Sequence, residues 1–203
     1  SPAAREIPLD QLPAIAEVTP VDPLTPHANP VPDPEKIARL AAMLNAANNP
    51  MIWIGGGAMD AGAEIRALAE KTCAPVVRFR SARGVLDDWH PLSLTVPAGY
   101  KLWADTDLLV AFGSRLDVPM SRWGKLPAGL KVARIDIDPA EMRRLTVDLP
   151  IVADAADAMR ALTAAVEARS DTARAEAIAR AKAAVAEEIK AVQPQMSFLS
   201  AIR

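Results

Sequence analysis

Apolar residues along this chain switch between two spacings, and the switching predicts its elements. Short runs dominated by apolar residues stand at Pro50 to Ile54, Pro75 to Phe79, Asp107 to Phe112, Lys131 to Ile137 and Pro150 to Val152. Their brevity and their valine, leucine and isoleucine content suit strands buried in a sheet. Between them the spacing becomes helical. Ile37, Leu40, Ala41 and Leu44 share one helix face, Ile65, Leu68, Ala69 and Thr72 another within Ala58 to Cys73, and Ala158, Leu162 and Val166 a third. Strands alternating with helices predict an α/β domain assembled from βαβ units.

The stop signals agree with that reading. Asp33-Pro34-Glu35 opens the first helix with a side-chain acceptor, a proline at the first helical position and an acid near the positive end of the dipole. Asn48-Asn49-Pro50 ends it after about Ala47, Asp138-Pro139-Ala140-Glu141 opens a short helix, and Asp154 caps the next. Ser81 to Lys101, punctuated by Gly84, Pro91, Pro97 and Gly99, is predicted to be irregular, with His90 capping or packing inside it.

Both ends depart from the alternation. Residues 1–34 hold nine of the eighteen prolines, so residues 1–33 read as an extended linker in which His27 is solvated or packed. Residues 34–166 form the domain. From residue 167 the chain turns to alanine with interspersed charge and offers only Ile178, Val185, Ile189 and Val192 for burial. This predicts a long helix in need of a partner, because about 20 exposed residues make a marginal helix in water. After Gln193-Pro194-Gln195 a further apolar pattern ends without a cap, as in a chain cut inside a larger protein.

Composition narrows the chemistry. A length of 203 residues suits one domain with extensions, and no apolar run approaches a membrane span. With no signal-peptide pattern at the start, a soluble cytoplasmic protein is expected. The net charge of −2, with signs interspersed, gives no field for nucleic acid. The lone Cys73 pairs with nothing and reads as a small packed residue at a helix end; two histidines, His27 and His90, make no metal spacing.

The stretch Gly55-Gly56-Gly57 after the first strand carries the most chemistry. It supports two readings: close packing of a tight turn, or backbone N–H groups presented to a phosphate or carboxylate. Arg115, in Gly113-Ser114-Arg115-Leu116-Asp117 at the end of another strand, could reach an anion or pair with Asp117. Asp136 and Asp138 at a third strand end could hold ribose hydroxyls or a metal, although helix capping also explains Asp138. The nucleotide fingerprints are incomplete. Gly55-x-Gly57-x-x-Asp60 lacks the third glycine, arginines (Arg78, Arg80, Arg83) stand where an NAD fold places an acid, and Gly57-x-x-x-x-Gly62 continues into Ala63-Glu64 without the lysine of a triphosphate loop.

Taken together, Ile54-Gly-Gly-Gly57, Gly84-Val85-Leu86, His90-Pro91-Leu92-Ser93-Leu94, Asp107-Leu-Leu-Val-Ala-Phe-Gly113-Ser-Arg115 and Arg134-Ile-Asp-Ile-Asp138-Pro-Ala-Glu141 resemble the central domain of thiamine-diphosphate-dependent enzymes of the acetolactate synthase and 2-oxoacid decarboxylase type. The resemblance covers residues 34–166. It implies a three-layer α/β/α, Rossmann-like domain with a mostly parallel sheet of about six strands, set between missing N- and C-terminal domains of the same polypeptide, with residues 167–203 leading into the latter. It also implies a homodimeric or homotetrameric parent that uses thiamine diphosphate and Mg2+.

The family's Gly-Asp-Gly magnesium motif does not occur in this sequence, so turnover is not expected from this chain alone. Some relatives bind FAD or ADP on this domain, and the positions that match are Gly55, Gly56, Gly57, Arg115, Asp136 and Asp138. After Leu94, however, Thr95 to Lys101 is about six residues shorter than the glycine-rich segment of the flavin binders, which favours an ADP-type nucleotide or a bare anion over FAD. The rival reading is a free-standing nucleotide-binding protein.

Overall fold

The computed structural model describes residues 28–192. Residues 1–27 of the extended linker, His27 included, and the apolar pattern at 196–203 lie outside the described residues. Within them the order is α1 (Pro34–Ala46), β1 (Pro50–Ile54), α2 (Gly62–Thr72), β2 (Val76–Arg78), β3 (Ser93–Leu94), α3 (Val96–Lys101), β4 (Leu108–Phe112), α4 (Asp117–Ser121), β5 (Lys131–Asp136), β6 (Leu149–Val152), α5 (Ala155–Ala165) and α6 (Thr172–Val192). One six-stranded sheet has the order β3-β2-β1-β4-β5-β6, and every neighbouring pair is parallel.

β1 lies at the centre because it can be buried on both faces. Ile52 and Ile54 point to one side, where they join α1, α2 and α5 through residues such as Leu40, Leu68 and Leu162. Met51 and Trp53 point to the other and meet Val77, Leu109, Trp103 and Trp123. The result is three layers, with helices covering both faces as an all-parallel sheet requires.

Local signals are used as the sequence predicts. Asp33 accepts from the backbone of Glu35 at 2.9 Å and Asp154 from Ala156 at 2.9 Å, each stabilising its helix by about 1 kcal/mol. His90 accepts from Leu92 N–H at 3.2 Å through Nδ1 and meets Glu70 at 3.1 Å through Nε2. Cys73 ends α2 in the left-handed region at φ 51°.

Two stretches differ from expectation. The stretch read as irregular contains the edge strand β3 and the helix α3, whose N-cap Thr95 accepts from Ala98 N–H and whose second residue is Pro97. Gly99 makes this helix possible, since a Cβ there would meet Val77 and Trp123. The alanine-rich α6 also finds its partner inside the domain. Ile178, Ala181 and Val185 are buried on the Trp53 face, and Lys101 bonds Glu188 at 2.5 Å. Arg174, itself buried, donates to Asn49 Oδ1 at 2.9 Å and to the Pro50 carbonyl at 3.1 Å, fixing the start of α6 to the start of β1.

Candidate functional site

The strand order places the chain's reversal between β1 and β4. From β1 the sheet grows toward β2 and β3, and from β4 toward β5 and β6. Connections leave in opposite directions there and open a crevice at the carboxyl edge, the usual ligand position of such sheets. The crevice measures about 290 Å³ and is lined by Trp53, the three glycines, Ser81 and Gly113 to Val118.

The three glycines do different jobs. Gly55 N–H donates to the Phe112 carbonyl at 3.0 Å and Gly57 N–H to the Gly113 carbonyl at 3.1 Å. The two turns pack backbone on backbone. A Cβ on Gly57 would lie 2.8 Å from Gly113 Cα, and one on Gly55 or Gly113 would collide with the facing turn. Gly113 additionally needs φ +56°. Of the three, Gly56 alone has room for a Cβ, which would meet only Ser81, no closer than 3.5 Å. Close packing therefore holds for Gly55 and Gly57, while Gly56 stands clear of the facing turn.

Arg115 also lines the crevice. Its partner is Glu141 at 3.2 Å, not Asp117, and its side chain remains more than half exposed. Asp136 and Asp138 do not line the crevice. Asp136 sits beside Arg134 Nη2 at 3.4 Å and accepts from Asp138 N–H at 3.2 Å; Asp138 accepts from Ala140 N–H at 2.8 Å, as a capping residue does. The sequence-selected residues thus divide, with the glycines and Arg115 together and the two aspartates one step away.

What joins the two groups is a residue given no role from sequence. Arg134, fully buried in β5, donates Nε to the Ser114 carbonyl at 2.8 Å, Nη1 to the Glu141 carbonyl at 2.5 Å and Nη2 to Glu141 Oε2 at 3.2 Å. Its planar fork ties the turn after β4 to the turn after β5. Burial works against the Glu141 carboxylate, but the Arg134 hydrogen bond and the charges of Arg115 and Arg144 outweigh it and lower its pKa. A charged residue set between Ala133 and Ile135, in the apolar middle of the strand, was the available signal.

The chain's fit to thiamine diphosphate and magnesium can be tested on these donors. Among the described residues no three His, Cys, Asp or Glu side chains gather as a metal cluster, and Asp136 and Asp138 already hold backbone and guanidinium donors. These residues do not fit a magnesium diphosphate. Among the described residues no helix is long and apolar enough to cross a membrane.

Residues 37–162 match the family described as thiamine pyrophosphate enzyme, central domain. The chain belongs to this family. Relatives of the central domain include acetolactate synthase isozyme 1 large subunit of Escherichia coli, 32% identical over 83% of this chain and 32% of the relative. Another is AruI of Pseudomonas aeruginosa, named as a probable 2-ketoarginine decarboxylase, 32% identical over 83% of this chain and 31% of its own length. The solved structure of a thiamin diphosphate-dependent enzyme from Mycobacterium smegmatis superposes with a TM-score of 0.63 at 25% identity, covering 77% of this chain and 32% of that one. The chain thus spans about a third of the length of these relatives.

Proposed function

We propose that this central domain serves a larger thiamine-diphosphate-dependent enzyme that decarboxylates or ligates 2-oxoacids in the cytoplasm, and that it supplies scaffold and docking surface to a homodimeric or homotetrameric parent. The observation that carries the reading is the match of residues 37–162 to the family in a chain about a third as long as its relatives. The cofactor and Mg2+ then belong to neighbouring domains, where thiamine diphosphate would supply the electron sink for the carbanion left by decarboxylation. This chain's own contribution is rigid geometry: β1, β4 and β5 locked at their carboxyl ends by backbone packing and by Arg134. Expression of the uninterrupted reading frame tests it, with thiamine-diphosphate-dependent CO2 release from pyruvate or another 2-oxoacid as the expected result. A reading frame that closes soon after Arg203 without further domains would favour a free-standing nucleotide-binding protein instead.

The crevice is the candidate ligand position, and we assign it a weakly held ADP-type nucleotide or anion. Gly56 leaves backbone accessible, and Arg115 can exchange Glu141 for a phosphate, a charge-assisted bond of roughly 1.5–3 kcal/mol. Asp136 and Asp138 would act through Arg134 and the turn they cap. A flavin is disfavoured because Thr95 to Lys101 is folded into α3 and packed on Trp123. Titration with ADP and FAD tests this, with ADP binding weakened by Arg115→Ala as the expected result. A yellow protein, or FAD binding that survives that substitution, refutes it.

A further inference from the structure

Beside the glycine crevice lies a larger pocket of about 590 Å³, reached over Phe79, Asp117 and Val118, which border both. Its charged lining is lopsided: Arg78, Arg80, Arg83 and Arg122 against Asp88 and Asp117. Four arginines line one concavity of a chain whose net charge is −2. Exposed Arg80, Arg83 and Arg122 have no carboxylate partner among the described residues, Arg80 resting instead over the Phe79 ring at 5.2 Å.

Arg78 makes the pocket more than a basic surface. It is 94% buried, as its relative exposure is 6%, and its Nε has no hydrogen-bond partner in the described structure. Its other end pairs with Asp88, a carboxylate 71% exposed and therefore free to swing into water. The loop bearing Asp88 is held from the far side by Lys182 of α6, which donates to the His90 carbonyl at 2.9 Å. Burial, and then the charge of Arg78, lower the pKa of that lysine, so positive charge is crowded here.

We propose that this arginine pocket binds a small phosphate-bearing polyanion, a diphosphate or the diphosphate end of a larger molecule, and that Asp88 is the resident carboxylate which that anion displaces from Arg78. A guanidinium with an unpaired Nε receives a phosphate bidentately, which a single carboxylate oxygen does not reproduce. The volume lies within the range of small-molecule sites, and a concave lining favours a small anion over the flat acidic face of another protein. The site extends the crevice reading but does not use Arg115.

The test is calorimetric titration of the full 203-residue chain with inorganic pyrophosphate, at low and physiological salt. Wild type should bind, and Arg83→Ala and Arg122→Ala, both at exposed positions, should each weaken binding about tenfold. Asp88→Asn should tighten binding several-fold, because it removes the competing charge; a merely structural Asp88 would not do so. Pyrophosphate held in the crevice would be lost with ADP in Arg115→Ala, whereas the binding that Arg83→Ala and Arg122→Ala weaken should persist in that variant, so failure here and failure of the crevice reading are separable. Absence of pyrophosphate binding up to about 1 mM, or equal binding by the Arg83→Ala/Arg122→Ala double variant, overturns the proposal. In the first case the arginines are left to an acidic protein surface.

Discussion

Replacing Arg134 by methionine should unfold this domain more readily than any surface substitution, and the size of the effect follows from its contacts. The side chain is fully buried and serves the Ser114 and Glu141 carbonyls together with the Asp136 and Glu141 carboxylates. Removing one partner of a buried ionic network costs about 3–5 kcal/mol, since the acceptors are left desolvated. Glu141 keeps Arg144 at 2.9 Å and Arg115 at 3.2 Å, which places the expected loss near the lower end, about 3 kcal/mol. In urea melts followed by tryptophan fluorescence, with a slope of about 2 kcal/mol/M, the midpoint should fall by roughly 1.5 M. Arg134→Lys keeps the charge but not the fork, and should lose about half as much.

The pH dependence gives a second readout. The folded pKa of Glu141 is depressed below its ordinary value of 4.5, so its contribution is present above that value and is lost as the pH falls through the folded pKa. The gap between wild type and Arg134→Met should therefore be widest near neutrality and narrow in acid. A midpoint for Arg134→Met within about 0.3 M of wild type, or a gap that widens in acid, would refute the reasoning.

Gly113→Ala should destabilise by about 2–4 kcal/mol, from left-handed strain plus collision with Gly57, whereas Gly124→Ala, at φ +76° in open space, should cost only about 1–2 kcal/mol. Equal thermal shifts for the pair would show that the β1 and β4 turns do not depend on close approach. Amide exchange across α6 should be slow in a dilute monomer, and Ile178→Ala should cost about 2–4 kcal/mol and speed that exchange; fast exchange in wild type would contradict the packing described. Asp148 accepts from Val132 N–H at 2.9 Å, and despite its burial that bond and Lys131 lower its pKa. Its contribution should disappear as the pH falls below its ordinary value of 3.8, so Asp148→Asn, compared by acid titration of circular dichroism, should differ least from wild type at the lowest pH.

The sequence by itself determined the class of fold, because its signals are local. Strand runs, helical spacing and caps such as Asp33 and Asp154 depend on residues a few positions apart, and they appear where expected. The order of motifs from Ile54 to Glu141 likewise carried the family. Tertiary structure decided what local patterns leave open. α6 has too sparse a stripe to declare a partner, and its docking rests on Arg174 reaching Asn49 across 125 positions of sequence. The glycine triplet could not be divided into packing and open positions until the Gly113 turn lay against it. Arg115 found Glu141 rather than its sequence neighbour Asp117 because the turn after β5 comes beside it only when β4 and β5 pair. Arg134 shows the same cause: a buried charge is tolerable only where distant carbonyls and carboxylates converge, and that convergence is a property of the folded sheet edge.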